Sequence, residues 1–324
     1  MSFPEMNGER AVFEERRPFV GRFAPSPTGR MHAGNVYSAL VAWIIARRQG
    51  GRVVLRIEDL DTQRSKAEFA DAVMRDFENL GLWWDGEPVY QSNRTQAYQE
   101  AFEQLLDADL LYPCYCTRAD LHAASAPHVG EKPVYAGTCR LADPSELEKR
   151  KNRALEQGRE PSWRVIVPDR VVEIDDMFQG HFVQRLKREC GDFVVRRSDG
   201  AFAYQLAVVV DDAYQGVTSV VRGVDLLSSS PQQRFLQDML GLEHVGYAHV
   251  PLLMGADGHR LSKRHKDANL ECLLQAYGSV EGVLGHIAYL AGLIEADEPA
   301  SAEELLRCAD LSVLERKEAI LWKR

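Results

Sequence analysis

Two stretches of this chain carry side chains suited to a polyphosphate. PSPTGRMHAGN, residues 25–35, sets small residues, His32 and Gly34 between a short strand and a helix. Backbone N–H groups and the positive end of the helix dipole then face the place where an anion would sit. Far along the chain, Arg260-Leu261-Ser262-Lys263-Arg264 brings Arg260, Lys263 and Arg264 together in a Gly/Asp-rich loop. A third group, Cys114, Cys116 and Cys139, has a spacing suited to a metal. A tetrahedral zinc wants four ligands, and His122, His128 and Tyr135 are candidates for the fourth. On chemical grounds alone imidazole is the better donor, because a phenol must lose a proton near pH ~10. Three thiolates and a fourth protein ligand leave no open position, so such a metal is structural. Cys190, Cys272 and Cys308 read as isolated core thiols.

The elements that must position these groups are readable from pattern. RPFVGRFAPSPTG reads as a strand entering a Pro/Gly turn, and HAGNVYSALVAWIIARRQG as a helix ended by Gly50 and Gly51. GRVVLRIEDLD is a Val/Leu/Ile-rich strand ending in carboxylates, which completes a βαβ unit of the kind that builds a parallel sheet. Ligands on such sheets sit at the carboxyl ends of the strands. Residues 66–111 are helical in pattern, broken by WWDGEPVYQSN. From Tyr112 to Arg197 the character changes to scattered Cys, Pro and Gly with basic charge, and RVIVPDRVVEIDDMFQGHFVQ alternates like antiparallel strands. This predicts an insertion with its own architecture. FAYQLAVVVDDAYQGVTSVVRGVD returns to buried-strand composition, and Ser230-Pro231-Gln232-Gln233 reads as a capping box with proline at the first helical position. Beyond Pro251 a loop, MGADGHRLSKRHKDAN, leads into helices, with Asp297-Glu298-Pro299 as a break.

A chain of 324 residues with 45% hydrophobic and 27% charged residues predicts a compact protein of two or three domains. No apolar run reaches membrane-spanning length, and the mixed-charge opening lacks the apolar core of a signal peptide, which predicts a cytoplasmic protein. Net charge −9 argues against indiscriminate coating of nucleic acid but leaves room for a local basic face. Two stretches supply one: residues 140–170, with Lys149, Arg150, Lys151, Arg153, Arg159 and Arg164, and residues 185–197, with Lys187, Arg188, Arg196 and Arg197.

RFAPSPTGRMHAGN resembles the first signature of class I aminoacyl-tRNA synthetases in its glutamyl form, with His32-Ala33-Gly34-Asn35 in the four signature places and Asn35 standing where the last His usually is. RLSKR is similar to the second signature, usually written KMSKS. RIEDLD, VYQSNR, LLYPCYC and YQLAVVVDD also resemble glutamyl-type enzymes, so the likeness runs from Gly21 to Asn269. The resemblance implies an α/β fold: a Rossmann-like catalytic domain with an inserted zinc-containing α+β subdomain and a C-terminal helical segment. The expected division is a tail at 1–18, catalytic halves at 19–111 and 198–250, the insert at 112–197, and the signature loop with helices at 251–324. It implies that His32 and Lys263 stabilise the phosphates of ATP, with magnesium accompanying the nucleotide. Gly34 then lets adenine approach, Asn35 lies near the ribose, and Arg260 and Arg264 help hold the triphosphate. Glu58 takes the ammonium of L-glutamate, while Arg22, Ser26, Tyr204 and Arg222 bind its carboxylates. Asp59 and Asp61 are expected to be structural.

Within that family the cysteine pattern is similar to the zinc site of the glutamyl-queuosine tRNA(Asp) synthetases, which implies Cys114, Cys116, Tyr135 and Cys139 as ligands. Val208 stands where longer glutamyl enzymes are often polar, which implies a change in how substrate is held before tRNA arrives. Only about 55 residues follow Asn269, too few for an added anticodon-reading domain. The expected activity is tRNA-independent activation of glutamate and its transfer to queuosine in the anticodon stem-loop of tRNA(Asp), by a monomer. Three other readings compete: a free-standing core that charges the 3′ end of tRNA(Glu), an inactive synthetase-like RNA-binding module, and a nucleotidyltransferase sharing only the phosphate turn.

Overall fold

Val20–Phe23 (β1) and Arg52–Ile57 (β2) are short, apolar and almost wholly buried, as parallel strands covered on both faces must be. The computed structural model describes residues 17–117, 120, 134–255, 257–259, 261 and 269–322. In chain order the remaining elements are α1 (Ala33–Arg48), α2 (Ala67–Asn79), β3 (Val89–Tyr90), α3 (Thr95–Asp107), β4 (Leu111–Cys114), α4 (Pro144–Glu156), β5 (Ser162–Val165), β6 (Val171–Asp176), β7 (Gly180–Arg185), α5 (Leu186–Glu189), β8 (Val194–Arg196), α6 (Tyr204–Tyr214), β9 (Ser219–Gly223), α7 (Ser230–Leu240), β10 (Gly246–Val250), β11 (Leu252–Met254), α8 (Leu270–Tyr277), α9 (Val280–Ala291), α10 (Ala302–Cys308) and β12 (Ala319–Leu321). None of the helices among the described residues is long and apolar enough to cross a membrane.

Two sheets meet edge to edge. One runs β1-β2-β3, all parallel; the other runs β7-β6-β10-β9, parallel except for the β6–β7 hairpin. They touch at β1 and β9, where the Thr218 N–H donates to the Val20 carbonyl and the Val20 N–H to Thr218 Oγ1, both at 2.9 Å. Past that point no ladder joins β1 to β9, so the carboxyl ends of the two strands bound a crevice where the strand order reverses. Helix α1 is apolar on nearly every side and buried, packing one core with α2, β2 and the C-terminal helices. A second core gathers α3, α6, α7 and the strands of the smaller antiparallel sheet β4-β5-β8.

Four sequence expectations change. Residues 204–214, read as strand, form helix α6. A short apolar run does not fix its own period, and here tertiary ion pairs to the adjacent Asp211 and Asp212 set the helix against β2. Ser230 caps nothing: the N-cap is Ser229, without a side-chain bond, and the Ser230 hydroxyl accepts from Arg222 instead. The hairpin at residues 171–185, read as part of the insert, extends the main sheet beside β10. Cys308 is exposed and Cys272 half-buried, so neither is a core thiol, while the half-buried Cys190 packs against the second core.

Candidate active site

The turn after β1 is stitched to three elements before it reaches α1. The Pro25 carbonyl accepts from the Glu58 N–H at 3.0 Å, Pro27 from Lys66 at 3.2 Å, and Met31 from Leu270 at 2.9 Å. His32 is the N-cap of α1, with its Nδ1 accepting the Gly34 N–H at 3.1 Å while Asn35 Oδ1 accepts the His32 N–H at 3.2 Å. Because Nδ1 is an acceptor, the neutral ring carries its proton on Nε2. Gly34 has a local reason beyond nucleotide approach, since a Cβ there would meet the His32 ring at 3.1 Å. The Asn35 carboxamide is engaged in the cap while still lining the cavity.

One cavity of about 490 Å³ is lined by His32, Gly34, Asn35, Arg22, Ser26, Glu58, Tyr204 and Arg222 together. Eight residues singled out in the sequence thus converge at the β1/β9 crevice, which is where ligands bind on open α/β sheets. Arg260, Lys263 and Arg264 lie outside the described residues, as do His122 and His128. The flanks of that signature are described: Leu261 lines the cavity and Asn269 bridges to His32.

Arginines and carboxylates alternate through the protein beneath the cavity. Arg22 Nε lies 3.1 Å from Asp212 Oδ1, and the fully buried Arg56 reaches Asp212 at 2.8 Å and Glu58 at 3.4 Å. Asp211 accepts from Arg94, Gln91 and Tyr98 at 2.9, 2.9 and 2.6 Å. Burial pushes the Glu58 carboxyl above its ordinary range, against the opposing pull of Arg56 and Arg22. Such a carboxylate gains most from a cation brought to it. Asp59 accepts from the Ser92 amide and hydroxyl and so ties β2 to the turn before α3, while Asp61 makes a solvent-exposed pair with Arg64 at 3.6 Å.

All five Arg222 N–H groups have acceptors. Nε donates to His249 at 3.0 Å, one terminal nitrogen to Gln233 at 2.9 Å and the Tyr204 hydroxyl at 3.3 Å, and the other to Ser230 at 2.8 Å and the Leu226 carbonyl at 3.3 Å. The two longest bonds are the ones a bound carboxylate can displace. Gln233 continues head to tail through Gln205 and Gln232 to Cys190, at 2.9, 2.6 and 2.9 Å, and the donor-only guanidinium fixes every amide orientation in that chain. The sequence offers Arg56 as a salt-bridge partner of Glu58, and the pair forms; sequence reasoning missed Asp211, Asp212, His249 and Gln233, for which the acid pair in VVVDD was the only local signal. Val208 is fully buried in the second core and does not line the cavity, so it holds no substrate directly.

Cys114, Cys116 and Cys139 offer sulfurs that all lie within 4.8 Å of one another. Cys116 and Cys139 Sγ are 3.5 Å apart, near the roughly 3.8 Å that a tetrahedron with Zn–S bonds of about 2.3 Å requires. The Tyr135 hydroxyl lies 3.4 Å from Cys114 Sγ and 4.0 Å from Cys116 Sγ, and accepts the Cys139 N–H at 2.8 Å. Hydrogen bonds from Cys116 and Cys139 pull the Cys114 thiol far down, the same pairing pushes Cys116 up, and burial raises Tyr135. One negative charge is welcome and further ones are not, which is the imbalance a divalent cation reverses. The three thiols and the phenol fit a zinc.

Residues 19–309 match the sequence model of a family described as tRNA synthetases class I (E and Q), catalytic domain. The chain is 46% identical over 309 residues to a glutamyl-Q tRNA(Asp) synthetase of Symbiobacterium thermophilum, covering 92% of this chain and 94% of that one. It is 49% identical over 256 residues to another of that name from Geobacter sulfurreducens, covering 78% of each. Among solved structures it is similar to a glutamate tRNA ligase from Elizabethkingia meningosepticum, crystallised in complex with its amino acid. That likeness has 26% identity and a TM-score of 0.76, and spans 95% of this chain and 67% of that one.

Proposed function

The chain belongs to the glutamyl-Q tRNA(Asp) synthetases within the class I glutamyl and glutaminyl catalytic-domain family, and on that premise we propose that it activates L-glutamate with ATP and transfers it to the queuosine of tRNA(Asp). The observation that carries this reading is the meeting of Arg22, Arg222 and Glu58 with His32 in one cavity at the sheet's reversal point. A dicarboxylate with one ammonium needs opposed guanidinium donors and one carboxylate, and no other bound group is required to explain that set.

In the first step an oxygen of the glutamate α-carboxylate attacks the α-phosphorus of ATP, which travels with magnesium, and the bond to pyrophosphate breaks. His32 Nε2–H donates to phosphoryl oxygens as charge gathers there, Lys263 neutralises the leaving pyrophosphate, and the α1 N-terminus adds its dipole. Arg260 and Arg264 hold the triphosphate, Gly34 and Asn35 face the nucleoside, and Ser26 and Tyr204 orient the amino acid beside Arg22, Arg222 and Glu58. In the second step a hydroxyl of queuosine's cyclopentenediol attacks the adenylate carbonyl, AMP leaves, and the hydroxyl proton is lost. Cys114, Cys116, Tyr135 and Cys139 would hold a zinc, which would supply a structural cross-link between β4 and the segment ahead of α4.

Two assays test the reading. Purified protein is expected to exchange pyrophosphate into ATP with glutamate alone, and to label queuosine-containing tRNA(Asp) but not its unmodified form. Exchange that required tRNA, equal labelling of both tRNA(Asp) forms, or labelling at the 3′ end of tRNA(Glu) would refute it.

A further inference from the structure

Arg222 is held from behind by a pair of side chains that do not line the cavity. Asp176, His249 and Arg222 sit on the adjacent strands β6, β10 and β9, and Arg222 pairs with His249 in the β9–β10 register. All three are buried. A guanidinium cannot accept a hydrogen bond, so the 3.0 Å contact from Arg222 Nε makes His249 Nε2 the acceptor. The ring's proton must then lie on Nδ1, 2.5 Å from Asp176 Oδ2. Asp176 is itself pinned, because its Oδ1 accepts the amides of Phe178, Gln179 and His249 at 3.1, 2.9 and 3.0 Å. Tyr247 stacks on the imidazole and lies 5.2 Å from the Arg222 guanidinium carbon at its ring centroid, closing the assembly from below.

We propose that His249, locked by Asp176 in its Nδ1-protonated tautomer, is a positioning residue that fixes which N–H groups of Arg222 face the amino acid. The inference rests on the reading of Arg222 as a glutamate ligand and deepens it. With Nε committed backwards, the guanidinium cannot turn about its plane, and only its two terminal nitrogens reach the crevice. A carboxylate then meets a donor pair of fixed orientation, which is the arrangement that favours a bidentate acid. The imidazole touches no substrate and acts only through the arginine.

The experiment is glutamate- and ATP-dependent pyrophosphate exchange by the full chain, with melting temperature measured alongside. Asp176→Asn keeps an oxygen for the three amides but offers Nδ2–H to His249 Nδ1, so the ring turns its own N–H toward Arg222 Nε. The expected result is a glutamate KM raised on the order of tenfold, as for loss of one charge-assisted hydrogen bond, with ATP KM retained and a melting temperature lowered by the buried donor-against-donor contact. His249→Gln, whose side-chain carbonyl can replace Nε2 as acceptor, is expected to recover most of the glutamate KM that His249→Leu loses. An unchanged glutamate KM in Asp176→Asn overturns the inference. So does a parallel change in both substrates' parameters, which marks a merely structural role. Arg222→Lys is the separating control: if it leaves glutamate KM unchanged, the reading of Arg222 fails and this inference with it. If Arg222→Lys raises KM while Asp176→Asn does not, the site reading stands and only the inference falls.

Discussion

His32 caps α1 through Nδ1 while lining the cavity, so capping and the proposed phosphate contact can be separated by substitution. His32→Asn keeps a side-chain oxygen for the Gly34 amide but is too short to reach a phosphate. It is expected to retain the melting temperature while kcat for exchange falls about 10²–10³-fold, the usual loss for one transition-state donor. His32→Ala is expected to lose about 1 kcal/mol of stability as well; equal melting temperatures for the two variants would remove the capping role. Glu58 makes a different kind of prediction, because its folded pKa lies above its unfolded value of 4.5. Such a group favours the fold fully below the unfolded pKa and loses that contribution as pH rises through the folded one. Glu58→Gln is therefore expected to gain melting temperature relative to the parent as pH climbs from 4 toward 8, while its glutamate KM rises on the order of 10²-fold for want of an ammonium partner. Calorimetry across that range checks the sign. His32 was legible in the sequence because it lies in a strand-to-helix turn whose spacing is itself a signal, whereas the role of Glu58 came through the family resemblance. His249 was not legible, since its partner Asp176 stands 73 residues away and neither sits in a local pattern.

Among elements, α6 shows where pattern runs out. Val208, Val209 and Val210 have the β-branched composition of a buried strand, yet the run is helical, with the adjacent Asp211 and Asp212 sharing Arg56 and each taking a second arginine: Arg94 for the first, Arg22 for the second. Nothing local in YQLAVVVDD announces partners on β1, on β2 and ahead of α3. The βαβ start was legible for the opposite reason, since its strands, turn and helix are contiguous and the capping box lies within the four residues His32 to Asn35. The cysteine knuckle falls between these cases. C-x-C is local, whereas Tyr135 was reached only through the family resemblance; the fold brings its hydroxyl to 3.4 Å from Cys114 Sγ. Freshly purified protein is expected to carry about one zinc per chain, as a closed four-ligand site requires. Tyr135→Phe is expected to hold it more weakly, releasing it to a chelator at lower concentration and with a lower melting temperature than the parent after chelation. Identical chelator titrations for the two proteins would leave the site with three ligands only.

At the scale of the whole molecule, a net charge of −9 repels RNA everywhere except where cations are left unpaired. Helix α4 is such a place. Asp143 caps it through the Ser145 and Glu146 amides, Glu146 and Glu148 are taken up by Arg150 and Lys151, and the exposed Lys149 and Arg153 form no ion pair among the described residues. The helix lies near the cysteine cluster, whose charge is felt by Arg150. Phosphates that displace counterions leave a signature in salt. Replacing Lys149 and Arg153 with Gln is expected to lower the slope of log tRNA affinity against log salt by about 1–2 units and to weaken binding most at low salt, since each lost phosphate contact accounts for slightly under one unit. Glutamate-dependent pyrophosphate exchange involves no RNA and reads the crevice alone, so it is the control that separates a docking defect from a damaged fold. An unaltered salt slope would put the tRNA on another face, with the second basic stretch around Lys187, Arg188 and Arg196 next to be tested in the same way. A slope that falls while exchange holds would mean that an acidic protein draws one RNA in through a single helix beside the cysteine cluster, leaving the crevice to select the amino acid by its carboxylate and arginines and to admit only the queuosine that accepts it.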